Sequence, residues 1–127
     1  MTVQSNSFST YCLHIQVSRK VKIKIGKLGT FEFPKGIYVY CGSARRNFDA
    51  RINRHLNRNK KSHWHIDYLL ASKYSKIIKI EKFQLSEHTE CTLVGKYVSN
   101  NLAEIFAVGF GASDCKNRCK SHLLKLL

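Results

Sequence analysis

The run Gly36-Ile37-Tyr38-Val39-Tyr40-Cys41-Gly42-Ser43-Ala44 constrains this chain more than any other stretch. Its uncharged β-branched and aromatic side chains, bounded by Pro34 and Gly36 before and Gly42 and Ser43 after, have the composition of a short, well-buried strand. The period then changes. Phe48, Ile52, His55 and Leu56 recur at helical spacing, and Arg51, Arg54 and Arg58 fall three and four residues apart on a neighbouring face. Strand, tight Gly-Ser turn and basic helix thus follow within about twenty residues, a geometry that can bring the Ser43 hydroxyl, exposed amides and a guanidinium to one phosphate.

The rest of the chain reads as companions to that unit. Tyr11, Leu13, Ile15 and Val17 alternate with Cys12, His14 and Gln16, the period of a half-buried strand. Val21, Ile23 and Ile25 alternate with Lys20, Lys22 and Lys24, which predicts a second strand with a lysine face. Gly26 and Gly29 mark a turn before a short strand over 30–33, so an antiparallel meander is expected to feed the central strand. A polar loop over 57–62, a helix from about Ile66, a strand over 76–83 and a helix carrying Glu90, Cys91, Leu93, Val94, Tyr97 and Val98 follow. A short strand over 105–108, a glycine- and cysteine-bearing loop over 109–120 and a closing strand or helical turn over 121–127 complete the chain. With 127 residues, 43% of them apolar, the expectation is one α+β domain over 1–127, a small antiparallel-rich sheet flanked by helices, with 1–8 a flexible N-terminus.

Twenty-two Lys and Arg against eight Asp and Glu give a formal charge of +14, which calls for a polyanionic partner. Nucleic acid is the first candidate. A membrane surface fits less well, because the basic residues are spread over strands, loops and helices and do not line one amphipathic helix. The first nine residues are mostly polar and lack the apolar core of a signal peptide, and no apolar run approaches membrane-spanning length. The cytoplasm is therefore the expected location; five irregularly spaced cysteines make a poor disulfide framework and suggest reduced thiols, and no protein partner is identifiable.

The block Tyr38-Val39-Tyr40-Cys41-Gly42-Ser43-Ala44, followed by Arg51 and Arg54-His55, resembles the second signature half of the GIY-YIG nuclease superfamily. With His63-Trp64-His65-Ile66-Asp67-Tyr68, Glu90-Cys91, Gly109-Phe110-Gly111, Ser113-Asp114-Cys115 and Ser121-His122-Leu123, it resembles more narrowly a small stand-alone branch, described as endonuclease III-related, from about Thr10 onward. The literal Gly36-Ile37-Tyr38 is contiguous with Tyr40-Cys41-Gly42, and Tyr38 and Tyr40 project from the same face of one strand. The first-half tyrosine is therefore assigned to Tyr11 in Ser9-Thr10-Tyr11, which has Ser and Thr where the family prefers Gly and Ile, with the lysine strand inserted between the halves.

The resemblance implies a metal-dependent endonuclease that hydrolyses phosphodiester bonds, with DNA ahead of RNA as substrate. It implies that Glu90 holds one hard cation, Mg²⁺ or Mn²⁺, that Arg51 stabilises the phosphate, and that Tyr11 or Tyr40 acts on the attacking water. Tyr38, Ser43, Arg54, His55, Arg58, Lys60, Lys61, His63 and His65 are assigned to nucleic-acid contact, with Tyr38 toward the edge of the site. The alternation of His63, His65 and Asp67 and the cluster Cys115, Cys119 and His122 also invite a zinc reading, but a second ligand pair at finger spacing is missing. Bland readings stand beside these: core tyrosines, a solvated arginine, a first-turn helix carboxylate. Two other classes stay open, a non-catalytic DNA- or RNA-binding module that keeps the fold and charge, and an RNA-processing protein.

Overall fold

The computed structural model describes residues 8–44, 46–57, 61–62, 64–84, 90–111 and 120–127; the expected flexible N-terminus falls almost wholly outside them. In chain order the elements are β1 (Phe8–Val17), β2 (Val21–Ile25), a short 3-10 turn, β3 (Gly29–Phe33), β4 (Gly36–Ser43) and α1 (Phe48–Leu56). Then come α2 (His65–Leu70), β5 (Ser75–Gln84), α3 (Glu90–Ser99), β6 (Ala103–Ile105) and β7 (Leu123–Leu126). The fold is α+β: a five-stranded antiparallel sheet of order β5-β1-β4-β7-β6, a separate two-stranded sheet, β2-β3, and three helices.

Two expectations need correcting. β2 and β3 do not extend a meander into β4; they pair with each other, and β1 lies directly beside β4. Each hairpin strand has one apolar face: Ile25 and Phe33 are fully buried in the core shared with α1 and α2, and Val21, Ile23 and Phe31 pack against it partly buried. Gly42 and Ser43 are not a turn either but the end of β4, and the chain bends after Ala44, reaching a left-handed Asn47 (φ 54°) before α1.

Strand parity sorts the core into two layers. Tyr11, Leu13, Ile15, Val17, Tyr38 and Leu123 face α1, α2 and the hairpin, where they meet Phe48, Ile52, Ile66 and Leu69. Cys12, Val39, Cys41 and Leu124 face the other way, against Leu93 and Val94 of α3. No helix among the described residues is long and apolar enough to cross a membrane.

Candidate active site

On the α1/α2 face, antiparallel register sets Tyr11 opposite Gly42 and Leu13 opposite Tyr40, so the two tyrosines lie on a diagonal with ring centroids 6.5 Å apart. Each ring needs a glycine. A Cβ on Gly42 would stand 2.6 Å from both Cζ and the hydroxyl of Tyr11, and one on Gly111 would stand 2.9 Å from Cε1 of Tyr40. Gly111 also has φ of 67°, a left-handed conformation that suits glycine. The short tyrosine-x-glycine spacing on β4 therefore serves the first strand: Gly42 makes the space in which the Tyr11 ring lies.

The Tyr11 hydroxyl and His55 Nε2 are 2.6 Å apart, and both residues are buried. His55 sits one helical turn after Arg51, so α1 places both on the side that meets the sheet's tyrosines. The Tyr40 and Trp64 rings approach His55 at 6.3 and 5.8 Å. A shallow pocket lined by His55, Leu56, Leu70, Lys76 and Ile77 opens beside the imidazole.

Arg51 is held from two sides. Its Nη1 donates to the Ser43 carbonyl at 2.8 Å, and its guanidinium lies 4.4 Å from the Trp64 ring centroid. Arg54 covers the same ring at 4.2 Å and donates from Nη1 to Asp67 Oδ1 at 2.8 Å. The other Asp67 oxygen accepts the Trp64 backbone N–H at 2.8 Å, so a fully buried carboxylate fixes both the start of α2 and the tryptophan on which the arginines stack. Asp67 thus forms an ion pair with the guanidinium of Arg54.

The third wall comes from the segment before β7. The Gly111 N–H donates to His65 Nδ1 at 2.9 Å, and the Phe110 ring packs on His65 and Tyr40 at 5.7 and 6.2 Å. Burial pulls the His65 pKa below its ordinary 6.5, which keeps the accepting nitrogen unprotonated. The His122 Cβ also adjoins Gly111, 3.4 Å from where a Cβ would stand, and His122 Nε2 lies 3.7 Å from Cys91 Sγ. Cys91 is disulfide-bonded to a partner outside the described residues, which corrects the reading of its sulfur as a reduced thiol; Cys12 and Cys41 are free.

The structure thus gathers Tyr11, Tyr40, Ser43, Arg51, Arg54, His55 and His65. Tyr38 is not among them. It is 0% exposed, its hydroxyl donates to the Pro34 carbonyl at 2.6 Å, and Phe33 and Phe106 enclose its ring, so burial raises its pKa. Assigning it to nucleic-acid contact or to the edge of the site is therefore corrected: it is core. Lys61 is exposed, and its carbonyl accepts a 3.3 Å bond from Arg54. Arg58, Lys60, His63, Cys115, Cys119 and the side chain of Glu90 lie outside what is described. Phe110, Gly111 and Trp64 were missing from the residues nominated by sequence, although Gly109-Phe110-Gly111 and Trp64 stand in the blocks that carry the resemblance.

A sheet with two glycine-accommodated tyrosines, a tyrosine-bound histidine and a stacked arginine sets the context for comparison with known proteins. The chain belongs to the family described as domain of unknown function DUF123, whose profile matches residues 10–127. No curated protein and no solved structure matches it.

Proposed function

We propose that this protein binds nucleic acid, DNA ahead of RNA, and hydrolyses its phosphodiester bonds as a metal-dependent endonuclease of GIY-YIG type in the cytoplasm. One observation carries the reading: the 2.6 Å contact between the Tyr11 hydroxyl and His55 Nε2, one helical turn from a guanidinium stacked on Trp64. In its Nδ1-protonated tautomer His55 accepts the phenol proton, so the pair can hold or pass a proton at the Tyr11 oxygen. Tyr40 is the more accessible of the two phenols and faces the attacking water. Arg51 clamps the phosphate, and its tie to the Ser43 carbonyl means that little side-chain entropy is lost on binding. The carboxylate of Glu90 is the kind of oxygen ligand that a hard cation takes. Mg²⁺ or Mn²⁺ held by Glu90 would neutralise charge on the phosphate and the leaving oxygen.

The burial of Tyr11 and His55, 1% and 2% exposed, favours a second reading, a module that binds nucleic acid without cutting it. One experiment separates the two: incubation with single-stranded, duplex and branched DNA and RNA in Mg²⁺, Mn²⁺ or chelator. Expected are salt-sensitive binding and metal-dependent cleavage, with Arg51→Ala and Glu90→Gln each lowering cleavage by about a hundredfold or more while binding largely persists. Binding without cleavage in any metal leaves the module; absence of binding removes both.

A further inference from the structure

Among the described residues, two positive side chains converge on a single aromatic ring in two places, and only the Trp64 cluster belongs to the site above. At the other, the Arg19 guanidinium lies 5.1 Å and the Lys73 ammonium 5.2 Å from the Tyr74 ring centroid. The two clusters differ electrically. Beside Trp64, Asp67 pairs with Arg54 at 2.8 Å; among the described residues no carboxylate pairs with Arg19 or Lys73.

The Tyr74 cluster is also built on fixed backbone. The Tyr74 carbonyl accepts from the Ser18 N–H at 2.9 Å and from the Ser18 hydroxyl at 3.3 Å, and the Tyr74 N–H donates to Ser72 Oγ at 3.2 Å. These bonds tie the α2–β5 turn to the end of β1. Arg19 and Lys73 are exposed, and attraction to the ring holds each of them at Tyr74. An anion that docks at this ring meets both charges. Lys20, Lys22 and Lys24, exposed on the segment that follows Arg19, extend the positive surface.

We propose that Arg19, Lys73 and Tyr74 form a second phosphate-contact point for the nucleic acid bound at Arg51, an inference that rests on the nucleic-acid reading above. The separation suits a duplex. From Tyr11 to Val17, β1 advances about 20 Å at roughly 3.3 Å per residue, and Arg19 lies just beyond. That distance is about six or seven base pairs at roughly 3.4 Å each. Both rings flank α2, with Trp64 immediately before it and Tyr74 shortly after it.

The test is fluorescence-anisotropy titration over a range of salt, with one duplex of about twenty base pairs and one of about five, too short to reach both points. The double variant Arg19→Gln, Lys73→Gln is compared with Lys96→Gln, Lys120→Gln, which removes the same charge from exposed positions elsewhere. On the long duplex the first variant should lower the magnitude of the slope of log affinity against log salt by about 1.8, two contacts at roughly 0.9 each, and the control should change it far less. On the short duplex the two variants should match. If the wild type binds the long duplex and the two variants share one slope, the second contact point is overturned and the reading of the Arg51 site stands. If the wild type binds neither duplex, both fall together.

Discussion

Both faces of the five-stranded sheet set a tyrosine hydroxyl against a titratable partner, and the partner makes their chemistry opposite. On the α1/α2 face the Tyr11 hydroxyl meets an imidazole. On the α3 face the Tyr97 hydroxyl donates to Glu81 Oε1 at 3.2 Å, the same oxygen that lies 2.7 Å from His14 Nε2. Burial pushes the Tyr97 pKa up, and the Glu81 charge pushes it further, so this phenol keeps its proton throughout the physiological range. An imidazole, by contrast, can take a proton and return it. The surroundings differ in the same sense: two arginines stack beside the first pair, whereas Cys12 and Cys41, sulfurs 3.5 Å apart, pack in the α3-facing layer. Adjacent residues of one strand, Tyr11 and Cys12, thus serve unlike layers, and side-chain parity decides which layer can move a proton.

The sharpest way to break this comparison is to delete one hydroxyl from each layer. Tyr11→Phe keeps the ring in its slot over Gly42 and removes the bond to His55, so cleavage should fall on the order of a hundredfold or more. Tyr97→Phe and Tyr38→Phe should leave the cleavage rate near wild type, although Tyr38→Phe takes the hydroxyl donor from the Pro34 carbonyl and Tyr97→Phe leaves Glu81 Oε1 with His14 alone, each at a cost of about 1 kcal/mol of stability. Single-turnover kinetics and denaturant melts on the three variants read both effects. If Tyr97→Phe or Tyr38→Phe is the inactive variant and Tyr11→Phe is not, the assignment of the reactive face is wrong.

Glycine substitution should separate the faces next. Gly42→Ala drives a methyl to 2.6 Å from the Tyr11 ring, which is 1% exposed and bonded to His55 and so has little room to retreat. A loss of about 1–3 kcal/mol is expected. Gly95, on α3, has nothing within 4 Å of where its Cβ would stand, and Gly95→Ala should stabilise by roughly 0.5–1 kcal/mol through helix propensity. Shifts of opposite expected sign are easily resolved in urea; destabilisation by Gly95→Ala would mean that α3 packs more closely than the contrast requires.

Much of this was legible in the sequence, and the losses have physical causes. Alternation identified β1 and β2, and the four-residue step from Arg51 to His55 marked one helical face, because these signals are local. Where the apolar face of β2 and β3 is buried is a long-range choice, so the hairpin was misread as part of a meander. Tyr38 and Tyr40 share a strand face, and alternation alone cannot tell which one is enclosed by Phe33, Phe106 and the Pro34 carbonyl. The pairing of each tyrosine with a glycine far along the chain is equally invisible to spacing. The irregular cysteines hid the disulfide at Cys91 for the same reason.

Acidification should reach the two faces in sequence, with smaller effects than either substitution series. On the α1/α2 face, burial holds His65 below its ordinary 6.5, and its Nδ1 must stay unprotonated to accept the Gly111 N–H. Because the folded pKa is the lower one, the unfolded chain takes up the proton first; the stability that His65 contributes is present above about pH 6.5 and is lost as pH falls through the folded value. On the α3 face, burial alone would raise Glu81, but the His14 hydrogen bond and charge, Lys79 and the Tyr97 hydroxyl outweigh it and hold the carboxyl below 4.5. Its contribution is present above about pH 4.5 and is lost as pH falls through that lower folded value. Urea midpoints measured from pH 7 downward should therefore decline in two stages, and Glu81→Gln should remove the lower stage alone. The Gly111 amide resonance should shift in the upper stage, as its acceptor is protonated. If that resonance does not shift at any pH before the protein unfolds, His65 does not hold the Gly111 wall beside Tyr40, and the layer that moves protons is not closed as described.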